Sequence, residues 1–227
     1  MSTSPRTWMD RLAHDLRGPL SPMLTAVYLL RDGQTTPEQR AELLQVMERQ
    51  IQRLGGMIDE VSDLGRAEKG RLVARREPVD LELLVADVVA RMHAEPPDVT
   101  VSPALQGVEL EGDVVRMGQL FRTLLGLRLS GAEPRPVRAR LEPSATGVRM
   151  ACVLDYADVS DAEVEALLEA PQPDPPDDAL GLGLMIARAI AEAHGGSLRG
   201  RAGAGATIEL LLELPTRTTG DGDAAGA

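Results

Sequence analysis

A histidine followed at once by an aspartate, His14-Asp15, stands between Leu12 and Leu16 near the start of the chain. On a helix those leucines share an apolar stripe, and a residue two places from each is turned away from it, towards solvent. An exposed imidazole beside a carboxylate suits nucleophilic work. The carboxylate orients the ring and takes its proton while the other nitrogen attacks an electrophile such as phosphorus. Pro19 and Pro22 follow closely. Each lacks an amide donor, so the carbonyls of Asp15 and Gly18 are expected to be free and the segment below the histidine bendable. An isolated His-Asp pair is more often a surface histidine with a chance neighbour, so the flanking residues must decide.

A second constellation is Gly181-Leu182-Gly183-Leu184-Met185-Ile186, running on to His194-Gly195-Gly196. Gly181 and Gly183 let backbone approach a ligand closely, and the helix they open offers amides that can hold phosphate. By itself this is weak, since a helix closed by two glycines is an ordinary C-terminal cap.

The elements that position these residues follow from spacing. Residues 5–31 are expected as one helix with Trp8, Leu12, Leu16, Leu20, Met23, Val27 and Leu30 in a stripe. Asp32-Gly33 breaks it, and Thr36-Pro37-Glu38 has the chemistry of a helix start. Leu44, Met47, Ile51, Leu54, Ile58 and Val61 then alternate spacings of three and four, which is a coiled-coil seam. Two such helices make a hairpin whose stripes are too wide to bury in a pair. A homodimer through residues 8–64, closing a four-helix bundle, is therefore expected.

After Gly70 the pattern changes to mixed elements. Helices are expected over 80–93, 113–130 and 161–169 and from Gly183, with strands near 98–102, 107–111, 136–142, 147–154, 197–202 and 206–214. The fold class is α+β: a helical hairpin over 1–70, an α/β sandwich with one sheet and helices on one face over 71–215, and a disordered tail over 216–227.

Composition narrows the rest. The 227 residues are 43% hydrophobic but 2% aromatic, so the core must be built from Leu, Val, Ile, Ala and Met. A net charge of −11 disfavours a nucleic-acid partner, whose phosphates this surface would repel. The single Cys152 excludes an internal disulfide and any paired-cysteine metal site. No apolar run is long enough for membrane insertion, and the polar N-terminus lacks a signal-peptide core, so a cytoplasmic location is expected.

The stretch HDLRGPLSPM resembles the phospho-acceptor box of histidine kinases. MERQIQRLGGMIDEVSDLGRAEKGRL, followed by EPVDLELL, is similar to the helix and linker that come after it in that family. GLGLMIARAIAEAHGGSLRGRAGAGATIELLLELP looks like the last box of the family's ATPase domain over its whole length. The resemblance covers about residues 8–215. It implies that His14 accepts a phosphoryl group with Asp15 beside it. It further implies that Asp155 would accept a hydrogen bond from adenine, that Gly181, Gly183 and Thr123 would line an ATP site, and that His194 has a structural role.

The centre departs from the family. In DVVRMGQLFRTLLGLRLSGAEP, Thr123 and Leu127 stand where two asparagines serve magnesium and triphosphate. Leucine offers no oxygen to a hard cation, and a threonine hydroxyl substitutes only in part. Arg128 and Ser130 stand where the family has Ala and Lys. Asp155 is kept, or else is a strand-end carboxylate capping a turn, but Ala157 and Val159 replace glycines and would crowd a nucleotide. Asp174, Asp177 and Asp178 in the short lid would repel a triphosphate. Gly18, four residues after the histidine, replaces the Thr or Asn that would position water for dephosphorylating a receiver, so that activity is expected to be weak.

Three functions compete. One is a phosphorelay intermediate: His14 exchanges a phosphoryl group with the aspartate of response-regulator receiver domains, with magnesium held by the receiver. Another is an ATP-dependent autokinase using ATP and magnesium through Thr123 and Asp155. The third is a non-catalytic scaffold that regulates a partner histidine kinase or receiver. Keeping the His-Asp pair while losing the metal-binding asparagines favours the first.

Overall fold

A computed structural model describes residues 12–92, 96–130, 135–172, 175 and 179–216. Two compact units divide within one long helix, between Ser62 and Asp63, with the short stretch ending at Leu180 grouped with the first. Trp8, His93, Asp174, Asp177 and Asp178 lie outside the described residues, as does the tail beyond Thr216.

The first unit is a helical hairpin. Helix α1 covers residues 12–17, a turn occupies Gly18-Pro19, and α2 runs Leu20–Asp32. The single helix expected over this stretch is thus interrupted. Pro19 has no amide to give, and the Gly18 N–H is shared between the carbonyls of His14 and Asp15, both at 3.2 Å. The carbonyl of Asp15, expected to be free, is therefore engaged. Gly33, in the left-handed region at φ 72°, closes α2 as expected. Helix α3 runs Pro37–Glu68. Thr36 Oγ1 accepts from the Gln39 N–H at 3.3 Å, and Gln39 Oε1 accepts from the Thr36 N–H at 2.9 Å, a reciprocal cap.

The expected seam on α3 splits. Leu44, Ile51 and Ile58, seven residues apart, are 53%, 54% and 56% exposed, while Met47, Leu54 and Val61 are half-buried and the neighbouring Met57 is buried. Leu20, Leu24 and Tyr28 on α2 are also exposed. The apolar face of this chain is wider than the hairpin covers.

The second unit is a five-stranded sheet under helices, with a small two-stranded pair beside it. The elements in order are β1 (Glu77–Asp80), α4 (Leu81–Ala90), β2 (Asp98–Val101), β3 (Glu109–Gly112), α5 (Val114–Leu125), β4 (Arg138–Pro143), β5 (Gly147–Asp155), α6 (Asp161–Ala166), α7 (Gly183–Ala193), β6 (Ser197–Ala202) and β7 (Thr207–Pro215). The main sheet has order β2-β4-β5-β7-β6, with only β2 and β4 parallel. Alternation puts Val148, Met150, Cys152 and Leu154 of β5 inward, beside Ile208, Leu210, Leu212 and Leu214 of β7. Leu141, Met150, Leu212 and Leu198 form one apolar row across four strands. Phe121, Leu120 and Leu124 of α5 and Ile190 and Ala191 of α7 complete the core, and among the described residues that phenylalanine is its one buried aromatic. Burial pushes the Cys152 thiol up to about 12, so it packs as a small apolar group.

Three expectations are corrected. Strand β1 is an addition, and β3 pairs with it rather than joining the main sheet, so there are two sheets. Helix α5 stops at Leu125, capped by Gly126, and does not reach 130. Leu127 and Leu129 stay buried in irregular chain, which preserves apolar spacing after the helix has ended. Helix α6 ends at Ala166 rather than 169.

At the β6 edge, Gly200 N–H donates to Glu165 Oε2 at 2.8 Å and Ala202 N–H to Asp161 Oδ1 at 2.7 Å, both acceptors on α6. A Cβ on Gly200 would lie 2.8 Å from Val164, so glycine is what lets α6 come this near.

Candidate functional site

Around His14 the geometry is local. Its side chain is 86% exposed, and Nδ1 lies 3.1 Å from Asp15 Oδ1. Leu12 and Leu16 are half-buried, which turns the imidazole outward as the spacing requires. With the proton on Nδ1 and donated to Asp15, Nε2 keeps its lone pair facing solvent. This is an oriented nucleophile on an open surface. Arg17, Gly18 and Ser21 nearby are exposed as well. A Cβ on Gly18 would come 3.2 Å from the Asp15 carbonyl, a tight approach.

The second region gathers at the start of α7. Gly183 opens the helix after Leu182, which supplies no side-chain cap. A Cβ built on Gly183 would lie 3.5 Å from Thr123 Cγ2, so Thr123 and Gly183 are neighbours where α5 meets α7. Gly181 has φ 76°, and its carbonyl accepts from the Gln172 N–H at 3.0 Å. A Cβ there would fall 2.6 Å from the Gln172 carbonyl oxygen, so this glycine is demanded by a backbone crossing.

Asp155 is differently placed. It ends β5 and continues the face of Arg149, Ala151 and Val153, opposite the buried row. Its Oδ1 accepts from Arg138 Nη2 at 2.8 Å and its Oδ2 from Arg135 Nη1 at 3.0 Å. The Arg138 hydrogen bond, helped by the charge of both guanidinium groups, holds this carboxyl below the ordinary range despite some burial. Each oxygen already accepts one guanidinium, so an adenine amino group would have to share it with an arginine, and among the described residues the carboxylate accepts no backbone N–H of a turn. The arginines were not foreseen as its partners, although RPVRAR places Arg138 and Arg140 on one strand face by alternation.

These residues do not fit a magnesium nucleotide. Leu127 is buried and carries no oxygen. Asp155 is shared with two arginines that are half or more exposed. Among the described residues, no three His, Cys, Asp or Glu side chains are grouped to hold a metal ion. Arg128 is exposed beyond the end of α5 rather than on a helix face. Glu48 and Arg49 are exposed on α3, as an ordinary solvated face.

His194 is buried and structural. Its Nδ1 donates to the Ile190 carbonyl at 2.7 Å, and its Nε2 accepts from the Asp113 N–H at 3.0 Å. Asp113 caps α5 through Oδ1 and receives the Ala74 N–H at Oδ2, 3.0 Å away.

Residues 6–70 match the His Kinase A (phospho-acceptor) domain. Sensor protein ChvG of Rhizobium meliloti is 27% identical over 229 residues, which is 90% of this chain and 39% of that protein. The signal transduction histidine-protein kinase BaeS of Escherichia coli is 27% identical over 232 residues, 92% of this chain and 46% of its own length. The chain thus spans less than half the length of these curated relatives. Histidine kinase AdeS of Acinetobacter baumannii has the same fold at a TM-score of 0.68 and 17% identity, covering 89% of this chain and 97% of that one. Histidine kinase ThkA, in its complex with response regulator protein TrrA, also gives 0.68, at 16% identity, covering 92% of this chain and 61% of that one. No helix among the described residues is long and apolar enough to cross a membrane.

Proposed function

We propose that this chain, a member of the two-component sensor histidine kinase family with a phospho-acceptor hairpin followed by a histidine-kinase-type ATPase fold, works as a phosphorelay intermediate whose carrier is His14. The observation that carries this reading is the His14–Asp15 contact of 3.1 Å on an exposed helix face, which leaves Nε2 free.

In the proposed reaction, the Nε2 lone pair attacks the phosphorus of an aspartyl phosphate on a receiver domain. The bond between phosphorus and the aspartate oxygen breaks, the carboxylate leaves with its electron pair, and an N–P bond forms. Positive charge then develops on the imidazole, and Asp15 stabilises it at Nδ1. The reverse step hands the group to a second receiver. Magnesium, held by the receiver, supplies charge neutralisation on the phosphoryl oxygens. This hairpin contributes the nucleophile, its orientation and an unobstructed approach.

The autokinase alternative draws on the relatives, which are sensor kinases over most of this chain. Against it stand buried Leu127 and the paired Asp155. We further propose that two copies associate through Leu44, Ile51 and Ile58 of α3 and the exposed leucines of α2, completing a four-helix bundle. The deciding experiment incubates the protein with labelled ATP and magnesium, and separately with a phosphorylated receiver, and scores acid-labile phosphate. Rapid labelling from the receiver and little from ATP is expected. Labelling from ATP alone would establish the autokinase instead.

A further inference from the structure

The second unit begins inside α3, at Asp63, and what holds it there is specific. Asp63 is buried, and its carboxylate receives Arg116 Nη1 and Gln119 Nε2, both at 2.8 Å, from α5. Arg116 is itself mostly buried, so removing either partner would leave the other's charge buried and unpaired.

The segment after the helix is tied as well. Gly70, at φ 62°, closes α3, with the Arg71 N–H donating to the Arg66 carbonyl at 2.8 Å. Leu72 is 3% exposed. The Ala74 N–H donates to Asp113 Oδ2, and Arg76 Nη2 donates to the Ala193 carbonyl at 2.6 Å. Residues 63–76 are thus fastened to α5 and α7, and the linker has little freedom to act as a swivel.

Upstream the opposite holds. Gly55 and Gly56 are adjacent, exposed and in mid-helix, and a Cβ on either would meet nothing within 4 Å. No contact among the described residues calls for their smallness, yet glycine is the poorest helix former after proline and a recognised place for helices to bend. Gly55 lies 18 residues past Pro37, where α3 starts, and His14 lies 18 residues before Asp32, where α2 ends. Pro19 keeps helical backbone angles across the interruption, so near-equal rises on either side of the turn bring the two to about the same height along the hairpin.

We propose that the joint of this chain is the Gly55-Gly56 pair within α3, not the linker after it, and that bending there alters access to His14 because the joint stands level with it. Its bearing on His14 rests on the phosphotransfer reading; the position of the joint does not.

Amide hydrogen exchange on the full chain locates the joint. Residues around 53–60 should exchange faster than 63–76, whereas fastest exchange at 69–76 would place the swivel in the linker and overturn the proposal. The G55A/G56A variant should slow exchange at 53–60, raise the melting temperature and lower the rate of transfer from a phosphorylated receiver severalfold. Gly65 is the control: it too is helical with nothing within 4 Å of its Cβ. G65A should raise the melting temperature without changing transfer. Equal transfer rates in G55A/G56A and the wild type, with exchange slowed, would overturn the coupling to His14. A wild type that takes no phosphoryl group from a receiver would defeat the functional reading, while the exchange pattern would still decide where the joint lies.

Discussion

The backbone N–H of Asp113 donates to the Nε2 of His194 across 3.0 Å, joining the start of α5 to the end of α7. Acceptance at Nε2 requires a neutral ring, and burial lowers the His194 pKa below its ordinary 6.5. The unfolded chain therefore takes up this proton at a higher pH than the folded one. Stability should be flat with respect to this group above about 6.5 and should fall as pH drops below it, until the lowered folded pKa is passed. For Asp113, burial acts to raise the pKa, but the amides of Ala74, Arg116, Arg75 and Val115 together lower it. Its contribution is present above 3.8 and is lost as acid titrates the folded group. Urea midpoints measured across pH 4–8 should show the histidine's decline, and H194Q should flatten it.

Gly112 tolerates no side chain. A Cβ there would stand 2.5 Å from Met117 Sδ and 2.7 Å from His194 Cδ2, so both buried side chains would have to shift. G112A should cost ~1–3 kcal/mol of unfolding free energy by overpacking. A denaturation midpoint equal to that of the wild type would contradict the packing described.

For the phosphoryl carrier, H14A should abolish labelling from both ATP and a phosphorylated receiver. D15N should slow transfer while leaving the oligomeric state unchanged, because Asp15 lies off the apolar stripe. Label persisting in H14A, or mapping to His93 or His194, would transfer support to the non-catalytic scaffold.

Nucleotide binding should be poor and insensitive to magnesium, since Asp155 is held by Arg135 and Arg138 and Leu127 carries no oxygen. Calorimetry with ATP, with and without magnesium, checks this. Tight binding that depends on the metal would make the autokinase the better account.

Association should depend on residues that the single chain leaves uncovered. Ile51 and Ile58 are more than half exposed, so I51K/I58K costs the monomer little and should yield a folded monomer by light scattering. A monomeric wild type would remove the basis for the bundle.

A helix start is legible in the sequence where its chemistry is local. Thr36 before Pro37 announces a cap, and that cap is made; Asp80, expected inside the next helix, caps it instead. The end of α5 was not readable: Leu127 and Leu129 keep an apolar spacing while the backbone has already left the helix. Strand β1 escaped because its four residues include Pro78, and its pairing comes from β3, some thirty residues on. The His14–Asp15 contact joins neighbours in sequence and was legible. The Asp155 pair with Arg138 depends on β4 lying against β5 in register, and spacing along the chain carries no trace of that.

The two carboxylates that α6 sets against β6 have a consequence for how copies of this chain meet. An outer strand with free amide groups is a template on which another chain can build, and that is a common route to aggregation. Here Asp161 and Glu165 fill the amides of Ala202 and Gly200. Crowding this protein should therefore drive association through its helices, while this margin of the sheet stays closed to strand exchange.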